Sequence, residues 1–266
     1  MPRIDLTADT IFYVDCTRPD DSGDGLTPAT AKKTFQAAYD NAVYNYDLRG
    51  HRLNIRATTA GTYAGLSTAT GCVGQAGYAG LVIEGRYAND SGVLIDGGGG
   101  NAIQVGANSS GCQQFTVQNL SIRSLYASGI SVFGSGNGVI ASNVTFGACA
   151  GAAMVVAHGA EGAFQNYILF NGTAYGCLAQ AVTNAQFTGG ESATWAIGNN
   201  MSVTLATLFC ANATMNMGGL VSVNPRLVTG NQIGADAHAV ILTGGGVSNV
   251  PGTLGTVNSN NGSYVS

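Results

Sequence analysis

Charge is what this chain has least of. Asp, Glu, Lys and Arg make up 9% of its 266 residues, while hydrophobic residues make up 45%. Disorder needs many charges and few apolar side chains, so this balance excludes it. Helical bundles pave their surfaces with Glu, Lys and Arg, and too few are present for one. No Lys/Arg cluster occurs and the net charge is −4, which removes the electrostatic footprint that a nucleic-acid partner requires. No run of about 18 apolar residues occurs either, so no transmembrane helix and no membrane partner is expected. The opening Met1-Pro2-Arg3-Ile4-Asp5 lacks the apolar centre of a secretory leader, and a protein made in the cytosol that stays there, or leaves by assembly or lysis, is expected. The six cysteines (Cys16, Cys72, Cys112, Cys149, Cys177 and Cys210) include no C-x-x-C pair. That is not a zinc pattern, and a chain of this length folds without a disulfide framework. They read as small reduced core residues, and no cofactor is implied.

What is present is glycine, 40 residues of it, among Ala, Val, Asn, Ser and Thr in short apolar runs. Such a chain suits an all-β or solenoid architecture. The few charges crowd into the first hundred residues. Beyond them the acids and bases are Arg123, Glu161, Glu191, Arg226 and Asp236, apart from histidine. So little charge leaves the later surface poorly suited to an isolated monomer, and burial against other chains is expected.

Along the chain, Ile11-Phe12-Tyr13-Val14 reads as a short strand, followed by the turn-rich Asp20-Asp21-Ser22-Gly23-Asp24-Gly25. Phe35, Ala38, Tyr39 and Ala42 then fall at i, i+3, i+4 and i+7, one face of a helix over residues 33–43. From residue 51 onward come brief apolar runs: Leu53-Asn54-Ile55, Leu81-Val82-Ile83, Val93-Leu94-Ile95 and Phe115-Thr116-Val117. Three later stretches overlay, each starting at an asparagine (Asn119, Asn143, Asn166) and passing Gly129, Gly151 or Gly176 to another apolar run. The asparagines are 24 and 23 residues apart, the length of one turn of three short strands and their corners. A single turn cannot bury its inward side chains, whereas turns laid on one another share a core. Corners need residues that reach left-handed angles cheaply, and repeated Asn can form a hydrogen-bonded ladder. The open end must be covered, and the helix is the expected plug.

Phe12-Tyr13-Val14-Asp15, then Gly23-Asp24-Gly25-Leu26-Thr27-Pro28-Ala29-Thr30-Ala31, then Lys33-Thr34-Phe35-Gln36-Ala37-Ala38 resembles the opening segment of pectate-lyase-like right-handed β-helix proteins. Val223-Asn224-Pro225-Arg226-Leu227 with Ala239-Val240-Ile241-Leu242-Thr243-Gly244-Gly245 is similar to their closing element, although its Ser-Pro and acidic residue are absent here. The resemblance implies a fold that hosts lyases, hydrolases, adhesins and phage spikes alike. The expected class is therefore all-β: a right-handed parallel β-helix (solenoid) with a short N-terminal capping helix. Its expected parts are a cap over residues 1–50, coils over 51–225 and a closing segment over 226–266.

The chemical candidates are few. Asp20, Ser22, Asp24 and Gly25 imitate the start of an EF-hand calcium loop, but Ala31 stands where the bidentate Glu belongs and no second helix is read after it, so a turn held by Asx hydrogen bonds is the better explanation. Glycoside hydrolysis needs two carboxylates about 5–10 Å apart. Glu161 and Glu191 are the candidate pair, 30 residues apart in sequence. His158 beside Glu161 is the most enzyme-like local cluster, although a lone corner histidine is ordinarily a turn residue. A lyase scheme needs a base beside clustered acids, and Arg123 is the only Lys or Arg between residues 100 and 225. Tyr126, Tyr175 and Trp195 are candidate platforms for a glycan, with Tyr167 better assigned to the core.

The reading leans away from catalysis. The expected function is a structural or attachment component of a bacteriophage-like virion, such as a spike, fibre or capsid-decorating protein. Its expected partners are itself as a homotrimer, other virion proteins and a host-surface polysaccharide. The alternatives are a polysaccharide depolymerase on the same fold, with acids from different coils or subunits, and a bacterial surface adhesin.

Overall fold

The computed structural model describes in full residues 2–88, 90, 92–106, 113–158, 160–166 and 168. It describes as backbone Tyr167, residues 169–170 and the strands Thr173–Gln180, Gln186–Gly189, Thr194–Ile197, Ala206–Ala211, Thr214–Asn216, Val221–Asn224, Asn231–Asp236, Val240–Leu242, Val247–Ser248 and Tyr264–Val265. The fold is mainly β, with one curled, all-parallel sheet of 18 strands among the described residues.

The sheet is laid down in three-strand layers. Leu53–Ala57, Gly61–Ala64 and Leu66–Thr68 pair in parallel with Leu81–Glu84, Val93–Asp96 and Ile103–Val105. Those pair in turn with the two halves of Gln114–Ser124 and with Ile130–Phe133. Gly138–Ala157 then runs along all three, and Glu161–Phe170 with Thr173–Gln180 follows it. Each layer sets equivalent residues in register, Gln114 opposite Gly138 and Leu120 opposite Val144.

Alternation along each strand decides what lies inside. Leu53–Ala57 and Val93–Asp96 bury every second residue, as a half-buried strand must. Across the layers these residues form rows: Phe12, Ile55, Ile83, Val117, Ala141 and Phe164 share one register and all are buried. Tyr63, Ile95, Ile122 and Phe146 form a second row. Leu66, Ile103, Ile130 and Met154 form a third. Phe164 fills the space left beside Ala141 and packs on Phe146 at 5.6 Å between ring centroids. Each such side chain contributes about 1.5–3 kcal/mol by leaving water, and none of it is available to a lone layer.

The helix forms over Phe35–Asn45, two residues later at each end than expected, because Thr34 is its N-cap and accepts from the Ala37 N–H. Asp21 holds that cap by accepting from the Thr34 N–H at 2.8 Å. The expected face (Phe35, Ala38, Tyr39, Ala42) is buried, together with Val43. Phe35 meets Tyr63 at 5.0 Å and Tyr39 meets Phe115 at 6.3 Å.

Backbone edges are covered as well as the core. On the outer side of Thr10–Val14 the Tyr13 N–H donates to the Gly25 carbonyl (2.7 Å), and the Lys32 N–H donates to the Tyr13 carbonyl (3.0 Å). The Gln36 side chain accepts from the Ser67 N–H at 2.8 Å, at the strand Leu66–Thr68. Loop and helix thereby quench groups that would otherwise pair with another chain.

The described cysteines Cys16, Cys72 and Cys149 are unpaired, and burial pushes the Cys72 and Cys149 thiols up to about 12. Cys112 lies outside the described residues. One alignment made from sequence is displaced: Gly151 pairs with Ala127 rather than standing beside Gly129, and Ile130 faces Met154, not Ala153. Gly129 has its own local cause, since a Cβ there would lie 2.9 Å from the Phe146 ring.

Candidate functional site

The corners between strands carry most of the candidate residues. Between the first and second strands of a layer stand Asn119, Asn143 and Asn166, with φ of 57°, 53° and 56°. Asn tolerates this left-handed region better than most residues. The Asn143 amide donates to Asn119 Oδ1 at 3.2 Å. Asn166 donates instead to Ser142 Oγ at 2.7 Å, and the register slips by one just beyond, between Ser142 and Val144. The spacing of 24 is the offset held from Gln114–Gly138 to Ile122–Phe146, and that of 23 is the offset held from Gly138–Glu161 to Ser142–Gln165, which the slip returns to 24.

His158 occupies a different corner, between the third strand of one layer and the first of the next. It too is left-handed, with φ of 58°, it is exposed, and its ring lies 6.2 Å from Phe133. Glu161, three residues on, begins the next strand and is exposed. No hydrogen bond or ion pair joins these two among the described residues. Glu161 is joined instead to Tyr78, whose hydroxyl donates to its carboxylate at 2.7 Å across 83 residues of sequence. Glu191 lies outside the described residues.

Tyr78 reaches Glu161 from a long excursion, residues 69–80, that leaves the third strand of the first complete layer. The excursion folds over the outer face of the sheet. Thr116 Oγ1 donates to the Tyr78 carbonyl at 3.1 Å, and the Gln75 amide donates to the Gln114 carbonyl. Gln114, Gly138 and Glu161 occupy one register row. Gly138 must lack a side chain there, since a Cβ would lie 2.0 Å from the Tyr78 hydroxyl. Beside this row the excursion and the sheet enclose a cleft of about 300 Å³ lined by Cys72, Gly74, Gln75, Gly77 and Gln114.

The same face carries a second polar group. Arg56, Glu84 and Gln118 share a register row. Glu84 is 5% exposed and accepts from Asn54 (2.8 Å), Arg56 (2.7 Å) and Gln118 (2.8 Å). A carboxylate so fully engaged holds three strands together and has little left for chemistry. Arg123 is similarly occupied. It forms a two-bond pair with Asp96. Burial pushes the Asp96 carboxyl up, but the hydrogen bonds from Arg123 and Gly98 outweigh it and hold the group below its ordinary value.

The calcium-like turn has an internal explanation. Asp20 accepts from the Ser22 N–H (2.9 Å), and Asp24 accepts from the Leu26 N–H (2.9 Å) and from Thr30 Oγ1 (2.6 Å). Hydrogen bonds from Ser22 and Thr30 hold the two carboxyls below their ordinary values. The Lys32 ammonium donates to the carbonyls of Asp21 (3.1 Å) and Gly23 (2.7 Å), so a cation of the chain itself sits against this turn. Among the described residues no group of three His, Cys, Asp or Glu is placed to hold a metal ion.

Tyr126 is 75% exposed, beside Leu125 at 52%, on the corner between second and third strands. Tyr175 pairs in register with Ala152 and Trp195 with Ile168; their side chains lie outside the described residues. Sequence reasoning missed Tyr78, Gln75 and Gln114. The available signal was Gly71, Gly74, Gly77 and Gly80, a three-residue spacing unlike that of any strand nearby.

Comparison with protein-family models, curated proteins and solved structures finds no match to this chain.

Proposed function

We propose that the curled parallel sheet is a right-handed parallel β-helix of the pectate-lyase-like kind, and that it serves as a non-catalytic structural or attachment component of a bacteriophage-like virion. In this reading it works as a homotrimeric spike, fibre or capsid-decorating protein, joined to other virion proteins and docking on host-surface polysaccharide. The observation that carries the fold is the parallel register, kept from Thr10–Val14 through the strand pairs that end at Asn231–Asp236. Right-handedness follows the strong preference of parallel crossovers. Support for the role comes from the scarcity of charge after residue 100 and from an outer face furnished with amides and hydroxyls. The polar candidates also bear on it, because Glu161, Glu84 and Arg123 are each engaged by a neighbour in the fold.

Mass spectrometry of gradient-purified particles, from a lysate of cells that encode the chain, tests the role. The expected result is the chain at a fixed ratio to the major capsid protein. Finding it only in the soluble fraction overturns the reading. So does reducing-sugar or unsaturated-uronate release from a capsular polysaccharide that disappears in Glu161→Gln.

A further inference from the structure

We propose that the cleft between the excursion of residues 69–80 and the sheet binds a neutral, hydroxyl-rich ligand the size of one sugar ring; this rests on the attachment role above and supplies the site through which it acts. The cleft measures about 300 Å³, and no charged side chain is among its described lining residues. That volume is at the small end of ligand sites, which suits one ring and not an extended chain. Cys72 adds no charge, since burial pushes its thiol up to about 12. The Asp47 carboxylate stands behind Gly74 and is engaged by Arg49, so no charged side chain of the lining answers an anion or a cation.

Part of the polar capacity of the lining is unspent. Gln75 uses its amide N–H groups on the carbonyls of Gly77 (2.9 Å) and Gln114, which leaves its side-chain oxygen as an acceptor. The Gln114 side-chain amide has no hydrogen-bond partner among the described residues, and its oxygen lies 3.9 Å from where a Cβ on Gly77 would stand. The cleft therefore offers two N–H donors and two carbonyl acceptors on half-buried side chains. Adjacent hydroxyls, each donor and acceptor at once, match that set better than a group that only donates or only accepts. Gly77 leaves the approach open, and Tyr78, the next residue, is fixed by its bond to Glu161. Tyr126, the exposed aromatic singled out from sequence, stands on another corner.

The test is saturation-transfer NMR and titration of the full chain with the methyl α-glycosides of glucose, galactose, mannose and N-acetylglucosamine. At least one is expected to bind, and Gln114→Leu, which keeps the side-chain size and removes the amide, is expected to weaken it about tenfold. Gln114→Ala serves if the leucine variant loses the β-sheet circular dichroism of the parent. No transfer from any of the four glycosides, or equal affinity in a folded Gln114 variant, overturns the proposal. Particle association is read separately: a chain found on virions that binds none of the glycosides sinks this site and spares the role. A chain that binds but never joins particles does the opposite.

Discussion

The corner between the first and second strands of a layer is built in two ways. In three successive layers it is a single left-handed asparagine, at 119, 143 and 166. One layer earlier, the same corner is a loop from Gly85 to Gly92. The asparagine corner needs little beyond itself, because at Asn143 and Asn166 the side chain bonds to the layer below. The loop has to hold itself together, and it does so around one buried carboxylate. Asp90 is 1% exposed and accepts from Arg86 Nε (2.7 Å), Arg86 Nη2 (2.9 Å) and the N–H groups of Arg86 and Gly92 (both 3.0 Å). A short corner takes its stability from repetition, whereas a long one depends on a single local centre.

The largest effect should therefore come from the loop. Asp90→Ala leaves Arg86 and two backbone donors without their acceptor, and about 3 kcal/mol of stability should be lost in urea unfolding. An effect under 1 kcal/mol would erase the contrast between the two corners. Acid should act on the same point. The Arg86 hydrogen bond holds the Asp90 carboxyl below its ordinary value of 3.8. A folded-state pKa below the unfolded one means that its stabilisation is complete above 3.8 and is lost as pH falls through the lower folded value. The urea midpoint should fall as pH drops below that point, and Asp90→Asn should flatten the decline. An equally steep acid limb in that variant would show that other carboxylates govern it.

Asn143 tests the repeated corner. Alanine there has both to adopt a left-handed backbone and to give up the bond to Asn119, so Asn143→Ala should cost about 2 kcal/mol. Asn143→Gly relieves the backbone and loses only the bond, and it should cost less than half as much. Equal losses in the two variants would mean that the ladder, not the backbone angle, holds the corner.

This contrast also marks what could be read from sequence. The asparagine corners were legible because the same local demand recurs at 24 and 23 residues. The runs Leu53-Asn54-Ile55 and Leu81-Val82-Ile83 were legible as strands because an apolar run is local, although the register that sets Leu53 opposite Leu81 was not. The helix face was legible for the same reason, although Thr34 as its cap was not. The loop at 85–92 was invisible, since a single Arg86–Asp90 pair leaves no periodic trace. So was Tyr78 on Glu161: the bond spans 83 residues and depends on where an irregular excursion happens to lie. Lys32 beside the calcium-like turn falls just past the twelve-residue window in which a calcium loop is judged. Periodic demands write themselves into sequence. One-off contacts between distant segments do not.

The smallest expected effect sharpens the comparison from the other side. His158 has the left-handed backbone of the asparagine corners, with φ of 58°, but no ladder bond joins it to another layer among the described residues. Its ring is exposed and meets Phe133 only at 6.2 Å between centroids. A β-carbon in that conformation costs roughly 1–2 kcal/mol, and glycine avoids the cost while loosening the unfolded chain. His158→Gly should therefore stabilise the protein by about 0.5 kcal/mol, read as a small rise in the urea midpoint with an unchanged slope. Asn143→Gly, by contrast, should never be stabilising, because there the side chain has a partner to lose. If His158→Gly destabilises by as much as Asn143→Ala, the imidazole carries a role at this corner that its geometry does not require, and the candidate pair with Glu161 returns to consideration.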